Sequence, residues 1–177
     1  MPTNAHHSYR YLGLLFASCL AFAAHAAEIA TSVPQLVRVM VPGQPALVLD
    51  ATTLSGMPHV SVTAAAHEEK PSVWRGVALR EILSRAGAPV DKPLRGKTLA
   101  SFVRVTAADH YQVVFGLADL DPSLGNTQVM LADQRDGQPV ASDGPYRLLV
   151  TGDQRPARWV RHVTVIEVVD ASSTTEP

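Results

Sequence analysis

The stretch from Pro71 to Pro89, P-S-V-W-R-G-V-A-L-R-E-I-L-S-R-A-G-A-P, carries the one long, cleanly punctuated helix pattern in the chain. Leu79, Ile82, Leu83 and Ala86 recur at i, i+3, i+4 and i+7 and so share one helical face. Arg80, Glu81, Ser84 and Arg85 fall on the opposite face. Gly87 stands where a left-handed C-terminal residue is needed, and Pro89 bars continuation. Ser72 to Trp74 reads as a short strand, Gly76 as a break in it, and Val77 to Ala86 as the helix. Almost everything else reads as strand. A lone amphipathic helix among strands must lay its apolar face on a sheet, which limits the architecture to α+β with the helix clamping the core.

At 177 residues the chain is long enough for one domain with a real core and too short for two ordinary ones. A formal net charge of -1, with no Lys/Arg run, excludes a nucleic-acid binder. The N-terminus reads as a targeting segment: Arg10 gives a positive flank, Tyr11 to Ala24 an apolar run too short to span a bilayer, and Ala24-His25-Ala26 a small–x–small cleavage pattern. The expectation is a signal peptide over 1–26, a domain over 27–170 and a polar tail over 171–177, in a periplasmic protein with no membrane span after cleavage. A lipoprotein site at Cys19 is disfavoured, because Phe16 stands three residues before it and the apolar run continues beyond. Cys19 is the only cysteine. The mature chain would then have no thiol, hence no disulfide, no cysteine-ligated metal and no cysteine nucleophile.

The remaining elements follow from alternation and turn chemistry. Strands are expected over 35–40, 46–49 and 59–63, with Asp50 or Thr52 capping a short helical turn between the second and third. Ser101–Ala107 and Tyr111–Phe115 should form a hairpin about Asp109-His110. Gly116 to Leu124 reads as a short capped helix ended by Gly125, and Gln128 to Ala132 as a strand. Arg135-Asp136-Gly137-Gln138 and Asp143-Gly144-Pro145 are turns, the latter leading into a strand over 146–150. Arg158 to Val169 reads as one long closing strand.

Four segments, in order, carry a family resemblance. W-R-G-V-A-L-R-E-I-L-S-R-A-G (Trp74–Gly87) resembles the tryptophan–glycine–valine and helix segment of the sulfite-oxidase-like molybdopterin-binding family. Asp109-His110-Tyr111 resembles its D-G-Y, with His110 in the glycine's place. Asp136-Gly137 followed by Gly144-Pro145-Tyr146-Arg147-Leu148-Leu149-Val150 resembles its G-x-P-x-R-L-V, and Arg155, Arg158, Trp159 and Val160-Arg161-His162-Val163 its closing basic strand. The resemblance implies a mostly-strand, mixed-sheet, barrel-like fold with one main amphipathic helix, and an oxidoreductase ancestry with molybdopterin as cofactor. It also implies a molybdenum-ligating cysteine upstream of the W-x-G-V motif. Here that region is Val60-Ser61-Val62-Thr63-Ala64-Ala65-Ala66-His67, without one. No catalytic residue and no metal ligand is therefore assigned.

The candidate binding residues implied by the resemblance are Arg147, Arg155, Arg158, His67 and His110. Arg147 can bind a pterin phosphate through its guanidinium fork, or pair with a local carboxylate. Arg155, Arg158 and Arg161 can form an anion cradle, or a solvated face. The histidines His59, His67, His110 and His162 match no metal-ligand spacing. Asp109 reads as a turn former, and Trp74 and Trp159 as core anchors. No G-x-S-x-G marks an activated serine. The expectation is a non-catalytic module with no resident cofactor, binding a small anion or a periplasmic protein partner. The alternative is an oxidoreductase that holds molybdopterin without a cysteine. In the first case Arg147, Arg155 and Arg158 should converge on the Ala64–His67 loop.

Overall fold

A computed structural model describes residues 36–66, 69–140 and 142–172. The expected signal peptide, its cleavage site, Cys19, His67 and the end of the polar tail lie outside the described residues. The described chain is two sheets and little helix, and neither sheet closes on itself. The first has the order β2 (Leu47–Leu49), β1 (Val37–Met40), β10 (Val163–Asp170), β5 (Ser101–Ala107), β6 (Gln112–Gly116). The second has the order β3 (His59–Ala64), β4 (Ser72–Ala78), β7 (Val129–Arg135), β8 (Gln138–Pro139), and β9 (Arg147–Val150) also pairs with β7. β1 and β10 run parallel and every other pairing is antiparallel, so the expected mixed-sheet architecture holds without a closed barrel. Among the described residues no helix is long and apolar enough to cross a membrane.

Helix α1 (Ala51–Ser55) forms where expected, because the Asp50 carboxylate accepts the Thr53 N–H at 2.6 Å. Helix α2 (Leu79–Arg85) buries Leu79, Ile82, Leu83 and, just past its end, Ala86, against β4 and β7. Its end closes as a Schellman motif, with Gly87 N–H donating to Ser84 C=O and Ala88 N–H to Leu83 C=O, both at 2.9 Å. Gly87 takes the left-handed conformation this needs, with φ +85°. The β5–β6 hairpin turns through His110 at φ 69°, and the β7–β8 hairpin through Asp136 and Gly137 at φ 51° and 76°.

Three expectations are corrected. Gly76 does not break the strand: β4 runs through it to Ala78, and α2 begins at Leu79 rather than Val77. The glycine is there for a neighbour distant in sequence, since a Cβ would sit 2.1 Å from the Leu131 carbonyl oxygen where β7 bulges past. The segment expected as a helix over 116–124 is only a 3₁₀ turn over Leu117–Leu120. The closing strand begins at Val163, not Arg158. Pro156–Arg158 forms a 3₁₀ turn, and His162, at φ 47°, redirects the chain before β10.

Candidate functional site

The charged centre of the structure is built by β9 and the two segments that flank it. Arg147, opposite Ala132 in the β7–β9 register, points into the interior and is only 2% exposed. Its guanidinium lies 5.2 Å from the Trp74 ring and 5.6 Å from the Trp159 ring, which meet edge to face with centroids 6.2 Å apart. Each indole is pinned in turn: Trp74 Nε1–H donates to Ala64 C=O at 3.3 Å and Trp159 Nε1–H to Val150 C=O at 2.9 Å. A charge this deep needs a partner, and the Asp143 carboxylate supplies it. Burial pulls the Arg147 guanidinium below its ordinary pKa, while the neighbouring Asp143 opposes that shift. Arg147 Nε finds no hydrogen-bond partner.

Asp143 serves a second guanidinium. Its Oδ1 lies 3.3 Å from Nε of Arg161, whose side chain is 61% exposed. The Asp143 carbonyl also accepts the His162 N–H at 2.9 Å, which ties the Gly144-Pro145 turn to the segment entering β10. Two cations on one carboxylate leave one positive charge in excess, and burial of Arg147 leaves Arg161 as the member that faces solvent. Arg161 opens onto a cleft of about 340 Å³ that it shares with Asp109, Tyr111, Ser142, Trp159 and His162. The β5–β6 turn forms the facing wall: Asp109 Oδ1 accepts the Tyr111 N–H at 3.0 Å, and the Tyr111 hydroxyl donates to Ala157 C=O at 2.7 Å.

The other candidates are placed elsewhere. Arg158 forms a two-point ion pair with Asp153 and lies 4.8 Å over the Phe115 ring. The hydrogen bonds to Asp153 hold its pKa above the ordinary guanidinium value. It lines a separate cleft of about 460 Å³ with residues 125–128 and 151–153, which includes neither Arg147 nor Arg155. Arg155 is exposed and makes no ion pair among the described residues. His110 is exposed at the hairpin turn. His59 is buried between Met57 C=O at 2.9 Å and the Asp133 carboxylate at 3.1 Å. Among the described residues Arg147 and Arg158 do not share a partner or a cleft, because each meets an aspartate close in sequence. Of Arg147, Arg155 and Arg158, Arg147 comes near the Ala64 loop through the Trp74 ring, which also carries Arg135 at 4.9 Å, itself paired with Glu69. Sequence reasoning passed over Asp143, which read only as a turn residue, and Tyr111. An Asp–Arg pair spanning a Gly-Pro turn leaves no periodic signal.

Comparison with known proteins identifies this scaffold. The sequence model of the oxidoreductase molybdopterin binding domain family matches residues 56–176. The chain belongs to that family. The structure is similar to the crystal structure of the sulfane dehydrogenase SoxCD from Paracoccus pantotrophus, with a TM-score of 0.59 and 19% identity. The likeness covers 76% of this chain and 38% of that one, so the chain spans under two fifths of its structural relative and shares its fold. No curated protein matches. The matched region of the molybdopterin-binding domain begins after β1 and β2, yet both strands pair into the first sheet.

The residues present do not fit a thiolate-held molybdenum. The end of β3 and the residues after it are Thr63, Ala64, Ala65 and Ala66, which offer methyl groups and one hydroxyl where a soft donor is needed. No group of three or more His, Cys, Asp or Glu among the described residues is placed to hold a metal ion. The arginine of the G-x-P-x-R segment, Arg147, is engaged by Asp143 and walled by two indoles rather than turned to a ligand.

Proposed function

We propose that this chain is an exported, non-catalytic binding module of the molybdopterin-binding-domain family, taking a small anion in the cleft beside Arg161. One observation carries the reading: Asp143 is shared by Arg147 and Arg161, so the positive charge it leaves unmatched emerges at the exposed guanidinium of Arg161, which lines the cleft across from Asp109. A planar guanidinium fork suits carboxylate, sulfate or phosphate oxygens. Ser142 and the exposed His162 offer further polar contacts on the same rim. Family membership alone favours a second reading, in which the chain keeps molybdopterin through arginines and backbone and works as an oxidoreductase. A periplasmic protein presenting an acidic side chain would use the same face as a free anion.

Purification from the native cell envelope, followed by elemental analysis for molybdenum and fluorescence assay of extracted, oxidised pterin, separates the two readings. The binding-module reading expects neither in stoichiometric amount; one molybdenum and one pterin per chain would overturn it. Intact-mass analysis of the same preparation should give a chain beginning at Ala27. A lipid-modified Cys19 at the N-terminus would instead contradict a soluble exported protein.

A further inference from the structure

We infer that the cleft beside Arg161 takes a small zwitterion, an amino acid or aminoalkyl acid, with its acidic end at Arg161 and its ammonium end at Asp109. The inference deepens the anion-binding reading and rests on it. Arg147, Arg161 and Asp143 together carry one positive charge in excess, presented at Arg161. Asp109 lines the same cleft and brings the opposite charge. Its Oδ1 is occupied by the Tyr111 N–H, while Oδ2 has no hydrogen-bond partner among the described residues. A simple monoanion at Arg161 would place a second negative charge in the cleft with Asp109, and like charges at short range repel. A zwitterion leaves each charge met and the cleft neutral. Tyr111, about half exposed, lines the same space and brings an aromatic side chain to it, and aromatic rings attract ammonium groups. A volume of about 340 Å³ is at the small end for ligand sites, which favours a compact amino acid over a nucleotide-sized molecule.

Isothermal titration of the purified exported chain with glycine, β-alanine, 4-aminobutyrate, acetate and methylammonium tests this. At least one of the three amino acids should bind about tenfold or more tighter than acetate, and methylammonium weakest of all. Asp109→Asn should abolish the preference, so that the favoured amino acid and acetate bind alike. An asparagine still accepts the Tyr111 N–H and keeps the turn, which an unchanged Tm would verify. Arg161→Gln should weaken amino acid and acetate together. If acetate binds as tightly as every amino acid, or if Asp109→Asn leaves the preference intact, the zwitterion assignment is overturned and anion binding survives. If none of the five binds, the anion-binding reading falls with it.

Discussion

Where α2 lies on β4 and β7 its fully buried side chains are apolar, whereas further back along β4, at Trp74, a charged side chain fills the interior. Leu79, Ile82 and Leu83 are each fully buried and need nothing but neighbours of the right shape. Arg147 is as deeply placed, but it is held by an aspartate and two indoles, and its Nε is left without a partner. The apolar region tolerates loss by partial collapse. The charged region does not, because deleting one partner strands the other. The difference also sets the two arginines apart: Arg147 is part of the core and Arg161, on the same aspartate, is exposed.

The largest effect should come from removing the buried cation. Arg147→Ala should destabilise by about 3–5 kcal/mol, since it opens a cavity between two indoles and leaves Asp143 with Arg161 alone. Denaturant unfolding measures this directly. A cost below about 1 kcal/mol would mean the ion pair is dispensable and the contrast between the regions is false. In the apolar region, Leu83→Ala should cost about 2–5 kcal/mol, as large-to-small core changes do. Arg85→Ala, on the outer face of the same helix, should change stability by about 0.5 kcal/mol or less. Equal costs for Leu83 and Arg85 would reverse the face assignment.

Helix α2 was legible because its signal is local: a 3.6-residue apolar period, a Gly87 terminator and a proline beyond. The Asp50 cap, the Asp109-His110 hairpin and the Asp136-Gly137 turn were legible for the same reason. Gly76 reads locally as a break because the strand it must accommodate, β7, lies more than fifty residues later, and nothing local announces a close backbone approach. The closing strand starts later than the Val- and Ile-rich run to Val169 suggests, because left-handed His162 turns the chain just before Val163. The candidate arginines were legible as a basic group but not as individuals. Which of them meets an aspartate depends on turn geometry across Gly144-Pro145 and Gly152-Asp153, and sequence spacing does not encode that.

A smaller effect separates the buried arginine from the surface one. Arg158→Ala should cost about 1 kcal/mol or less, since its pair with Asp153 is about a third exposed and solvent-screened. A cost matching that of Arg147→Ala would show that burial is not what distinguishes them. The smallest effect is with pH. Asp50 and Asp136 are held below the ordinary carboxylate pKa, chiefly by the backbone N–H groups of Thr53 and Val73. The stability they contribute is fully present above the unfolded aspartate pKa of about 3.9. It is lost as pH falls through their lower folded values. The denaturant midpoint should therefore hold steady from neutral pH to about 5 and decline only below about 4.

The central claim is that of the arginines in the closing segment, only Arg161 is presented to a ligand. Acetate or sulfate affinity, measured by titration on the wild type, Arg161→Gln, Arg158→Gln and Arg155→Gln, tests it most directly. Loss of one charged hydrogen-bonding partner should weaken binding by about tenfold or more in Arg161→Gln, with Tm nearly unchanged. Arg158→Gln and Arg155→Gln should bind like the wild type. Affinity unaffected by Arg161→Gln, or abolished by Arg158→Gln or Arg155→Gln, would contradict the account.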